Sequence, residues 1–184
     1  RRRVGVRGRG RPLAQAGQDY PAEAAGECSA GYGFPPIISD PAPAVLGQEL
    51  PALIVDGYSS FKVFMTYEGL ALTDEQILKV MTVARETGAL VMVHAENYDA
   101  IRFLTDRLER AGKTAPHYHA ASRPIPVERE ATHRAISLSE IVDLPIMIVH
   151  LSHREALEEI RPAPPRALQR SADTRPHTPG RTAA

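Results

Sequence analysis

Cysteine is all but absent: Cys28 is the single one in 184 residues. One thiol cannot close an internal disulfide, which excludes a small disulfide-stapled secreted scaffold and leaves Cys28 an inert thiol. Net charge is also absent, because 22 Lys and Arg balance 22 Asp and Glu. The chain as a whole therefore has no electrostatic bias toward nucleic acid or anionic membrane. No apolar run reaches the length of a membrane span. The Arg-rich start, RRRVGVRGRGR, is not followed by the apolar stretch of a secretory signal. Those eleven residues lack aromatics, so they offer phosphates charge without a stacking surface. A solvated tail is the simpler reading, and a cytoplasmic protein that binds neither membrane nor nucleic acid is the expectation.

What is present is an ordinary globular composition, 43% hydrophobic and 24% charged. Its distribution divides the chain in three. Residues 1–23 are rich in Arg, Gly, Ala and Gln without hydrophobic periodicity and read as disordered. Residues 162–184, PAPPRALQRSADTRPHTPGRTAA, carry too much proline for a continuous helix or a central strand and read as a second disordered tail. Residues 24–161 form the folded part.

There, short apolar runs alternate with longer amphipathic segments, the pattern of βα units on a parallel sheet. The clearest strands are Ser60–Met65, Ala89–His94 and Leu144–His150; Ile37–Ser39 is a weaker one. The expected helices are Pro43–Val55, Asp74–Thr87, Tyr98–Ala111 and Pro126–Val142. The second has Thr73 as N-cap, acidic residues in its first turn and Gly88 as its stop. The fold class is α/β, with about four βα units of the kind that close into a TIM-type barrel.

Two of the strands end in the same residue, His94 and His150. In a parallel α/β barrel the carboxyl ends of the strands build the site, and converging imidazoles are what zinc coordination needs. A structural histidine at a strand end is the competing explanation for each. Lys62 interrupts the apolar run FKVF. Alternation places Ser60, Lys62 and Phe64 on one face and Phe61, Val63 and Met65 on the other. A buried ammonium needs a partner or a changed charge; otherwise the lysine snorkels to solvent.

The blocks SSFKVFMTYEGL, GALVMVHAENYDAIRFLTDRLERAGKTAP, YHAASRPIPVEREATHRAI and LPIMIVHLS, in this order and spacing, resemble the dihydropyrimidinase and hydantoinase family. The resemblance runs from about Gly31 to Ile160; both tails look unrelated to it. It implies that Lys62 is carboxylated by carbon dioxide and bridges two divalent metal ions, usually zinc. His94 and His150 would be ligands of one ion. Tyr67 would stabilise the oxyanion of the tetrahedral intermediate. The implied reaction is metal-assisted hydrolysis of a ring amide in hydantoins or dihydropyrimidines, giving N-carbamoyl amino acids. The implied partners are that small cyclic substrate and further copies of the chain, as a dimer or tetramer.

Not every family feature is found. The family's His-x-His pair on the first barrel strand has no counterpart, since no histidine precedes Gly31. Its aspartate ligand and base lies beyond the matched region. His117-Tyr118-His119 falls, by the resemblance, in a loop outside the metal site. His153 stands where a small residue is usual. A truncated or mis-framed copy, inactive by itself, is therefore expected. A non-catalytic scaffold or interaction protein on the same fold is the alternative. Glu96 and Asn97 are candidates to orient His94, Arg123 for a structural contact, and His133 for a helix surface.

Overall fold

Phe61, Val63 and Phe64, residues that favour extended backbone, help form the first strand, β1 (Ser60–Phe64). A computed structural model describes residues 35–160 and the backbone of 170–172; the 1–23 segment lies outside the described residues. β2 (Leu90–His94), β3 (Ile146–Ile148) and β4 (Arg170–Ala172) follow, all parallel, in the order β1-β2-β3-β4. Phe64 stands in register with His94, and Val93 with Ile148.

The helices are α1 (Val45–Glu49, a π-helical turn), α2 (Leu50–Val55), α3 (Asp74–Thr87), α4 (Tyr98–Arg110), α5 (Tyr118–Ala121), α6 (Ile125–Ile141) and α7 (Arg154–Ile160). The expected helix 43–55 thus opens on a widened turn. Pro51 has no N–H to donate and its ring crowds the turn before it, which accounts for the widening. The bounds of α3 are as expected, because both ends carry strong local signals. Thr73 and Gln76 exchange side-chain and backbone hydrogen bonds of 3.2 and 2.9 Å in a capping box, and Gly88 ends the helix at φ +75°. Thr73→Ala is expected to cost about 1 kcal/mol of stability, read as a lower urea midpoint with unchanged slope.

Three expectations need correction. The third strand is shorter than 144–150: Pro145 has no N–H for the ladder, and the chain leaves the sheet after Ile148. The weak run at 37–39 forms an isolated bridge, Ile37 to Lys62. The Pro36 carbonyl accepts from Lys62 N–H and Ile38 N–H donates to the Lys62 carbonyl, so proline is tolerated where only its oxygen is needed. Finally, residues 170–172 of the segment expected to be disordered pair with β3. They fall in a proline-free window between Pro165 and Pro176.

One face of the sheet makes the core. Phe61, Val63, Val91 and Val93 are all 0% exposed and pack with Ile77, Val80 and other helix residues. The opposite face of β1 and β2 carries Lys62, Phe64 and His94, as the alternation dictates. This division lets one side of the sheet hold the fold while the other holds polar chemistry. Among the described residues, no helix is long and apolar enough to cross a membrane.

Candidate metal centre

At the carboxyl ends of the strands is a cleft of about 390 Å³. Lys62, Tyr67, His94 and His150, the four residues singled out from the sequence, all line it. His94 is the last residue of β2. His150 lies two residues beyond β3 and has φ +46°. Their rings meet: His94 Nδ1 is 2.8 Å from His150 Nε2, with centroids 4.3 Å apart.

A carboxylate sets the other side of His94. Its Nε2 is 2.8 Å from Glu96 Oε2, while Glu96 Oε1 faces Arg123 Nε at 3.4 Å. Burial pushes the Glu96 carboxyl up, but the hydrogen bond from His94 and the pull of His94, Arg123 and His150 outweigh it and hold it below its ordinary value. An ionised carboxylate only accepts, so the His94 hydrogen belongs on Nε2 and the Nδ1 lone pair faces His150. This is the arrangement by which a carboxylate fixes a ligating imidazole. Asn97 does something else: its Oδ1 caps α4 through Ala100 N–H at 2.9 Å.

Lys62 is 8% exposed, with Nζ 4.8 Å from the centroid of the Phe64 ring. Tyr67 has φ +75° and presents its ring at the rim, 5.0 Å from the His94 ring. Its carbonyl accepts from Leu70 and Ala71, which folds the loop after β1 back on itself. Non-glycine residues seldom adopt positive φ, and two of the three that do so among the described residues, Tyr67 and His150, line the cleft.

The structure adds residues to the cleft that sequence reasoning did not assign to it. His119 is in the short helix α5, where a loop was expected, and lines the cleft. Its Nδ1 is 3.2 Å from Arg123 Nη1. Glu128 lines the cleft too and is buried. A carboxylate at helical spacing with the buried Val127, Ala131 and Ala135 was its available signal. His133 is outside, paired with Glu159 at 2.8 Å on the surface.

Two imidazole nitrogens aimed at one point suit a zinc-type ion. Nitrogens about 2.0–2.1 Å from a tetrahedral ion stand about 3.3 Å apart, so the pair has to open by about half an ångström. Among the described residues, no group of three or more His, Cys, Asp or Glu is gathered to hold an ion. Lys62 also lines the cleft and can serve as a donor only with its charge removed.

Parallel strands with polar residues at their carboxyl ends and helices between them define an α/β protein. The comparisons narrow this. The chain is 46% identical to a D-hydantoinase of Ralstonia pickettii over 170 residues, which is 92% of this chain and 37% of that protein. A solved D-hydantoinase superposes with a TM-score of 0.86 at 45% identity, over 93% of this chain and 37% of that one. A dihydropyrimidinase from Brevibacillus agri gives 0.86 at 36% identity, with the same coverages. No family model matches. The chain is a homologue of the D-hydantoinases and dihydropyrimidinases over about nine tenths of its length, and it spans a little over a third of theirs. Similarity over 170 residues cannot be accommodated within 31–160, so it enters both tails, which the sequence had suggested were unrelated.

Proposed function

We propose that this chain carries the lysine, two histidines and tyrosine of a cyclic-amide hydrolase of the hydantoinase and dihydropyrimidinase type. In this proposal its strands and helices are about four of the eight units of a (β/α)8 barrel. The observation that carries it is the meeting of His94 Nδ1 and His150 Nε2 at 2.8 Å at the strand ends, in a chain homologous to such enzymes.

Lys62, once carboxylated, exchanges a buried cation for an anionic oxygen donor and joins the two imidazoles as ligand. His94, His150 and the carboxylated Lys62 would hold a divalent ion, which would supply Lewis-acid activation of water and of the ring carbonyl. Glu96 keeps the His94 tautomer that leaves Nδ1 available. Tyr67, at the rim, donates its hydroxyl to the oxyanion that develops when the ring amide is attacked. The product is an N-carbamoyl amino acid. Assembly into a dimer or tetramer belongs to the same proposal.

The 184-residue chain by itself is expected to show no turnover of hydantoin or dihydrouracil with zinc and bicarbonate present, since no counterpart of the family's His-x-His pair stands before Gly31. A chimera provides the positive test. Residues 35–160 replace the matching segment of the Ralstonia pickettii D-hydantoinase, and ring opening is followed. The folded chimera should turn over, and Lys62→Ala within it should reduce turnover by at least about a hundredfold. A folded, metal-loaded chimera without activity contradicts the proposal and favours the scaffold alternative. Turnover by the isolated chain that vanishes in Lys62→Ala contradicts the expectation of inactivity.

A further inference from the structure

His150 is in a conformation that its own backbone preference does not supply. At φ +46° an L side chain is in the left-handed region, so its neighbours have to hold it there. The loop that carries it is tied on both sides. Before it, the Val149 N–H donates to the Val93 carbonyl at 3.1 Å. Just after it, Leu151 is 3% exposed. Beyond that, a carboxylate from another helix takes hold.

Glu128, in the first turn of α6, is 8% exposed. Its Oε1 accepts from the Ser152 N–H and the Ser152 hydroxyl, both at 2.9 Å. Its Oε2 accepts from the His153 N–H at 2.9 Å and stands 2.7 Å from His153 Nδ1. Both oxygens are thus committed to two consecutive residues, which fixes where the chain goes after His150. Capping of α7 alone does not account for this, because Ser152 lies two residues before that helix begins. The residue types matter as well. Only a carboxylate accepts with both terminal atoms; a glutamine presents an amide nitrogen to one pair of donors.

We infer that Glu128 is the positioning residue for His150: it clamps Ser152 and His153 and so holds the His150 imidazole against His94. This deepens the proposed function and rests on it where His150 is taken as a metal ligand. The clamp itself is a property of the metal-free protein and is testable as such. Sequence spacing alone did not expose it, since clamp and loop are 24 residues apart.

The test compares Glu128→Gln with the wild type in two measurements. The first is nitrogen-15 NMR of histidine-labelled protein without metal. In the variant, with its circular dichroism unchanged, the ring resonances of His94 and His150 should shift and their mutual hydrogen bond should be lost. The second is a cobalt titration, in which affinity should fall at least about tenfold and the visible band should change shape. If Glu128→Gln does not fold, the double variant Ser152→Ala, His153→Ala removes two of the four donors and should shift the same resonances by less. Unshifted His94 and His150 resonances in a folded variant overturn the inference. Shifted resonances without cobalt uptake by the wild type uphold the clamp and instead remove the assignment of His150 as a ligand.

Discussion

Zinc affinity should fall at least about a hundredfold in His94→Ala and in His150→Ala, and stay at the wild-type value in His133→Ala. Changing a residue one step removed from a metal costs about 10–100-fold, and loss of a ligand exceeds that. His94 and His150 share one point of the cleft, so removing either leaves the ion with one imidazole. His133 carries the same chemistry on an exposed helix position, where it pairs with Glu159. It therefore controls for adventitious binding to histidine. Uptake should also weaken in acid, because protons compete for the imidazoles. The measurement is competitive titration against a chromophoric chelator. Equal affinities in all four proteins would mean that the pair does not act as a ligand set.

The largest effect on stability is expected at Phe61. This ring is fully buried on the core side of β1, the neighbour of Lys62 on the opposite face. Phe61→Ala should cost about 3–5 kcal/mol, the sum of lost transfer free energy and the cavity left behind. Domains of this size are stable by about 5–15 kcal/mol, so the variant should unfold at much lower urea or be largely unfolded in water. Lys62→Met, on the cleft side, should be far milder, because it trades a nearly buried cation for an apolar chain of similar length. Comparable losses in the two variants would contradict the division of the sheet into a core face and a site face.

How much of this was legible in the sequence depended on how local the cause was. The helix Asp74–Thr87 was readable to the residue, because Thr73, Gln76 and Gly88 specify its ends within the segment itself. The first two strands were readable because each is a short, largely apolar run bounded by polar or glycine-containing segments. Lys62 and His94 were readable as residues on the site face by the alternation of side chains along a strand. The end of the third strand was not, because the apolar run continues through Val149 while the regular ladder stops at Ile148 and the path after His150 is fixed by a carboxylate 24 residues upstream. The short helix Tyr118–Ala121 was not readable, because four residues carry no periodic signal. β4 was hidden by the proline around it, which dominates composition but leaves residues 170–172 free to pair.

Crystals grown with zinc and bicarbonate, and measured at the zinc absorption edge, test the central claim most directly. The account predicts an anomalous peak between His94 and His150, about 2.0–2.1 Å from Nδ1 of the first and Nε2 of the second, with added density on Lys62 Nζ. A peak at surface histidines alone, with His94 and His150 still hydrogen-bonded to each other, would contradict it.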